Sequence, residues 1–181
     1  MIERVREYGI LSEIRTLAEW LGLKEVEMEN PRTKFYPEEL VKRLGSSYRV
    51  NLKRGDAVPE WEHPDKSSSK KTKVMAVYRD LLDNDCWITH FTWHGHIPEE
   101  LEKKGYKEFV QIFRRKIKDI LKRPKIILYD HDKGAFLYGS RYEDRWLFVV
   151  VGGDSRKIFT LIVRNSIFKN IDRYEVIYEE N

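Results

Sequence analysis

The stretch CWITHFTWHGH, Cys86 to His96, holds the only cysteine of the chain and His90, His94 and His96, three of its five histidines. Imidazole and thiol are the side chains that bind borderline metals and exchange protons near neutral pH. Read as a strand, Cys86, Ile88, His90, Thr92, His94 and His96 point one way, and Trp87, Thr89, Phe91 and Trp93 the other. Read as a helix, Cys86, His90 and His94 still align, at i, i+4 and i+8. The β-branched and aromatic content predicts a strand, an edge or entry strand that brings His94 and His96 to the open sheet face. Its register buries Trp87, Phe91 and Trp93 and turns His94 and His96 toward water or ligand.

Three chemistries stay open for this stretch. Zinc takes four ligands at about 2.0–2.3 Å, and Cys86, His90, His94 and His96 form the candidate set. Along a strand Cys86 lies roughly 13 Å from His90, so the four cannot share an ion without a bend, and no metal or other cofactor is expected. Acid–base work or phosphate contact by His94 and His96 is the second chemistry. Ordinary surface or packing roles are the third. Cys86, with no base beside it, reads as a small buried residue.

The elements that must position these residues are read from periodicity. LSEIRTLAEWLGLK predicts a helix capped by Ser12 and ended by Gly22, and YPEELVKRLGSS a second one. PEWEHPDKSSSKKTK has no periodicity, and residues 62–73 are expected as a mobile linker between an N-terminal helical region, 1–61, and a domain at 74–181. VMAVYRDLLDND predicts a helix. After Pro98 comes a long basic helix that Gly105 splits and Pro124 closes, with Tyr106, Phe109, Val110, Phe113, Ile117, Ile120 and Leu121 as its apolar stripe. KIILYD, AFLYGSRY, RWLFVVVGG, KIFTLIVRN and RYEVIYE predict strands of an antiparallel meander joined by short turns. The expected fold class is α+β: a helical N-terminal region, then the long basic helix packed on a four- to five-stranded meander.

Turn lengths assign the faces of that meander. A two-residue loop at Glu143-Asp144 sets Tyr142 opposite Arg145, and a turn from Gly153 to Arg156 sets Val149 opposite Thr160. One face then carries Leu137, Trp146, Phe148, Val150, Phe159, Leu161 and Val163, and is expected to pack on the helix. The other carries Tyr138, Ser140, Tyr142, Arg145, Leu147, Val149, Thr160, Ile162 and Arg164, and is expected to stay open.

Composition narrows the class. Charged residues are 35% of the 181, and the net charge is +4, against a usual quarter charged. Abundant Lys, Glu and Arg with a single Gln, Gln111, fits a thermophilic source. No run approaches the roughly twenty apolar residues of a membrane span, and MIERVREYGIL lacks the apolar core of a signal peptide. One cysteine fits a reducing, cytoplasmic setting. No phosphate-cradling or nucleophile-elbow motif occurs.

The basic helix ending LKRPKII and the strands FLYGSRYEDRWLFVVV and KIFTLIVRN resemble the barnase/EndoU/colicin/RelE-like RNase fold, in its phage-associated branch, over residues 86–181. That resemblance implies a metal-independent endoribonuclease of toxin or phage-defence type, with RNA as substrate and a protein inhibitor as a possible partner. It implies catalytic roles for His96 or His94, Arg145 and Thr160, with Pro124 at the helix end. Acting on RNA, Arg145 and Arg164 would hold phosphate. Tyr138 and Tyr142 would stack on unpaired bases. Arg114, Arg115 and Lys118 would supply a sequence-independent field. A non-catalytic nucleic-acid-binding or phage accessory protein and a small zinc-binding module are the other two classes.

Overall fold

A computed structural model describes residues 33–34, 40–45, 52–59, 71–166 and 173–180. The strands are β1 (Thr33–Lys34), β2 (Ala57–Pro59), β3 (Lys71–Arg79), β4 (Asp85–Thr89), β5 (Ile126–Asp130), β6 (Ala135–Tyr142), β7 (Arg145–Gly152), β8 (Ile158–Arg164) and β9 (Tyr174–Glu180). Between β4 and β5 lie a π-helical turn at Thr92–His96 and helices α1 (Ile97–Lys103) and α2 (Phe109–Lys122). An earlier π-helical turn spans Val41–Gly45. The helix expected near residues 12–25 falls outside the described residues.

The expected fold class needs correction. Among the described residues the protein is mostly β, built on two antiparallel sheets, and in place of one long basic helix there are two shorter ones. The larger sheet runs β8-β7-β6-β5-β9, with two-residue β1 added at its far edge, and the smaller runs β2-β3-β4. The basic segment is two helices because Gly105, at φ 83, ends α1 in the left-handed conformation. The Tyr106 amide then donates to the Leu101 carbonyl at 2.7 Å, which closes the helix end. What remains as α2 has 14 residues.

The helix expected from VMAVYRDLLDND is also a strand. Val74, Val77 and Tyr78 satisfy a helical stripe, but β3 pairs with β4 from Val74↔Thr89 to Arg79↔Asp85. The turn between them explains the choice. Asp80 Oδ1 accepts from the amides of Leu82 and Asn84, each at 2.9 Å, and Asp83 takes φ 62, a conformation that Asp tolerates. Lys71 to Lys73, the end of the expected mobile linker, already belong to β3, where Pro59↔Lys71 and Ala57↔Lys73 pair with β2. Residues on both sides of that segment share one core: Leu40 and Leu44 cluster with Ile88, Phe113 and Leu147.

The hairpin register at Tyr142↔Arg145 is the expected one. At the next turn Val149 lies opposite Leu161 and Val150 opposite Thr160, because the pairing shifts between Ile158 and Thr160. A bulge of one residue moves every later side chain of β8 to the other face. The face that meets α2 is also the reverse of the expected one. Tyr138, Leu147, Val149, Leu161 and Val163 share a core with Phe113, Ile117 and Leu121, while Leu137, Phe148 and Val150 form a separate cluster with Ile126 and Leu128. Both faces of β7 are apolar, so its composition does not say which one the helix takes.

Across that second cluster Gly139 lies opposite Phe148, and a Cβ at 139 would come within 2.6 Å of Phe148 Cδ1 and 3.0 Å of Ile126 Cγ2. Gly139→Ala is expected to lower stability by about 1–3 kcal/mol, read as a lower urea midpoint, and Phe148→Leu in the same chain should recover part of the loss. An unchanged midpoint in the single variant would mean that the ring moves aside freely.

Candidate nucleic-acid interface

The least ordinary chemistry lies where the two sheets meet. Asp80 and Tyr138 are 0% exposed and Arg156 1%. Arg156 Nη2 donates to Asp80 Oδ2 at 2.8 Å, to the Tyr138 hydroxyl oxygen at 2.8 Å and to Cys86 Sγ at 3.1 Å. The Tyr138 hydroxyl in turn donates to Asp80 Oδ2 at 2.7 Å. Asn84 Nδ2 donates to the Leu44 carbonyl at 3.0 Å, which ties the earlier helical turn to the same cluster. Burial pushes the Cys86 thiol up to about 12 and the Tyr138 hydroxyl well above its usual value. Both therefore stay protonated at neutral pH. Burial alone disfavours the Arg156 charge, yet its contacts with Tyr138, Cys86 and Asp80 leave its pKa raised. An ion pair this deeply buried ties the elements that carry it together, while Arg156 Nη1 and Asn84 Oδ1 keep no hydrogen-bond partner. Beside it the Trp87 amide donates to the Arg156 carbonyl at 3.1 Å and Trp87 Nε1 to the Ser155 carbonyl at 2.8 Å.

No sequence pattern singled out Asp80 or Arg156. Asp80 lay inside the expected helix and Arg156 in a turn. The available signal was Asp80 with Asn84 after an apolar run, a turn-forming pair.

The expected edge strand CWITHFTWHGH stops after Thr89. Thr89 Oγ1 accepts from the Thr92 amide at 3.1 Å, as a helix-capping threonine does, and the chain turns helical from His90. The expected sorting of faces therefore fails. Cys86 and Ile88 are buried with Trp87, while Phe91 is 42% exposed. His90 and His94 stack at 5.5 Å between ring centroids. Cys86, closed off under Arg156, drops out of the zinc set, and among the described residues no group of three His, Cys, Asp or Glu could hold a metal ion. His96 ends the π-helical turn and leads into α1.

Of the catalytic set implied by the resemblance, His94 and His96 lie in the π-helical turn, and Arg145 and Thr160 lie on opposite faces of the sheet. Arg145 lies opposite Tyr142 on the α2 side, and Thr160 lies opposite Val150 on the other side. Arg164, opposite Trp146, is on Thr160's side. Tyr138 is sealed in the interior and presents no stacking surface. Tyr142 packs edge-on against Phe109 at 6.2 Å, under Lys116 at 5.6 Å. Arg114 is anchored: it donates to the Trp93 carbonyl at 3.0 Å and lies 5.3 Å from the centre of the Trp93 ring. Arg115 and Lys118 stand exposed on α2.

A different arrangement gathers cations and an aromatic ring. A cleft of about 420 Å³ opens between the end of α1 and strand β8, lined by Leu101, Lys104, Tyr106, Leu161, Val163 and Arg164 among others, none of them acidic. Tyr106 is held from behind. The Arg145 guanidinium lies 5.3 Å from its ring centre, and Phe109 meets it edge-on at 5.6 Å. Arg164 Nε donates to the Ser166 carbonyl at 3.3 Å, which steadies its side chain at the rim. Sequence reasoning named Arg145 and Arg164 for the site, placed Tyr106 in the apolar stripe of the basic helix and gave Lys104 no role, because Lys104 and Tyr106 come beside β8 only where Gly105 ends α1.

No protein family, curated protein or solved structure matches the chain. Among the described residues no helix is long and apolar enough to cross a membrane.

Proposed function

We propose that this protein binds single-stranded nucleic acid, RNA in the first instance, through the cleft beside β8 and the adjoining exposed face of α2. The observation that carries the reading is the cleft lining: Lys104, Tyr106 and Arg164 all border it, with no carboxylate among the lining residues. Cations that track a backbone beside an aromatic platform are the usual means of gripping unpaired strands. Arg115 and Lys118 add charge on the neighbouring helix. The single cysteine suits a reducing, cytoplasmic setting.

The expected result is salt-dependent binding of a short labelled oligouridylate by fluorescence anisotropy. Reversing Arg115 and Lys118 to Glu should weaken it and flatten the slope of log affinity against log salt by about 1.4. An unchanged slope would mean that these two residues only solvate the helix.

The second reading is the metal-independent endoribonuclease of toxin or phage-defence type. One contact favours it: the π-helical turn of His94 and His96 packs against β8, the strand that borders the cleft. This reading expects cleavage of the oligonucleotide in excess chelator, lost by about 10²–10⁴-fold in His94→Ala or His96→Ala while binding persists. Intact RNA after prolonged incubation leaves the binding reading alone.

A further inference from the structure

We infer that the cleft between α1 and β8 takes one unpaired nucleotide, its phosphate on Lys104 at the rim and its base against Tyr106; this rests on the nucleic-acid reading above. The volume of about 420 Å³ falls in the range of about 300–1,000 Å³ that holds small ligands, and suits one nucleotide rather than a base pair with both its strands. Leu101, Leu161 and Val163 give the cleft an apolar lining, which matches the flat faces of a base. The charged groups and the polar residues Asn165 and Ser166 of the same lining match the phosphate and sugar.

Two features make the site ready-made. Tyr106 is fixed by the Leu101 carbonyl through its amide, at 2.7 Å, and by Arg145 and Phe109 against its ring. Little side-chain freedom is then lost when a base stacks on it. Lys104 meets Glu100 at 3.9 Å, an exposed pair of the kind that contributes little, so a phosphate competes for its ammonium at small cost. Arg145 touches Tyr106 rather than the cleft and acts as a positioning residue: its Nη1 is enclosed and has no hydrogen-bond partner.

The test is calorimetric titration of the whole chain with uridine 5′-monophosphate and, separately, with inorganic phosphate, beside anisotropy with the oligouridylate. The nucleotide should bind, and phosphate alone much more weakly. Tyr106→Ala should weaken nucleotide binding by roughly 5- to 100-fold, and Tyr106→Phe should restore it. Lys104→Gln, a change at an exposed residue that leaves folding intact, should weaken it as well. Arg115→Glu with Lys118→Glu should weaken the oligonucleotide and leave the mononucleotide unchanged.

Phosphate binding as tightly as the nucleotide would overturn the inference, since the cleft would then be an anion site only. So would nucleotide binding that survives both Tyr106→Ala and Lys104→Gln. If the mononucleotide fails while the oligonucleotide binds, the inference falls and the RNA reading stands. A bound mononucleotide with no oligonucleotide binding keeps the cleft assignment and removes the polymer.

Discussion

Arg156→Met is expected to lower the stability of the folded chain by about 3–5 kcal/mol, the scale of breaking a buried ion pair from one side. The reason lies in what is left behind. Asp80, 0% exposed, would keep the Tyr138 hydroxyl at 2.7 Å and the amides of Leu82 and Asn84 at 2.9 Å, but no cation. Cys86 and Tyr138 would lose the donor they share. The damage would reach both sheets, because Asp80 closes the β3–β4 hairpin, Tyr138 sits in β6 and Arg156 follows β7. Urea unfolding followed by circular dichroism reads the effect.

A second chain, Arg156→Met with Asp80→Asn, separates charge from packing. Asn keeps an acceptor for the two amides and removes the orphaned charge. It should therefore be more stable than Arg156→Met alone. If the double variant is no better, the loss comes from the side-chain volume that Arg156 fills against Phe136 and Tyr138, and the ion pair is not what joins the sheets.

Local signals in the sequence reached the strands and turns of the C-terminal half. Alternation and short connections mark β5 to β8, and Glu143, at φ 56, provides the tight turn that sets Tyr142 against Arg145. The stripe through Phe109, Phe113, Ile117, Ile120 and Leu121 is the buried side of α2. What failed was decided at longer range. The bulge between Ile158 and Thr160 has no residue signature in KIFTLIVRN, yet it alone moved Thr160 and Arg164 away from Arg145's side. VMAVYRD fits a helix and a strand equally well by period, and pairing with β4 decided between them. Arg156 finds Asp80 across 76 residues, a contact that no local pattern encodes. At the candidate site the cations were legible from the sequence, but their grouping was not. Arg164 and Lys104 border one cleft only because Gly105 turns the chain back and β8 lies alongside.

Phe113→Ala is expected to cost about 3–5 kcal/mol, and the way that cost couples to β7 tests which sheet face α2 covers. Phe113 is 1% exposed, its ring lies 6.1 Å from that of Trp93, and it shares a core with Leu147 and Val149 but not with Phe148 and Val150. Removing the ring opens a cavity on the helix side of the sheet. A further Val149→Ala change then enlarges a space that is already open, so the two losses should not add, with a coupling of about 0.5–3 kcal/mol. Val150→Ala, on the other face, should add to Phe113→Ala within about 0.5 kcal/mol. The opposite pattern would turn the sheet over, and Arg145 would no longer lie behind Tyr106. The same variants reach function. Phe113 holds α2 with Arg115 and Lys118 outward, and the start of α2 carries Phe109 against Tyr106. Loosening that packing should weaken oligonucleotide binding more than Val150→Ala does at equal loss of stability, because Tyr106, the aromatic platform of the cleft, is held from the helix side.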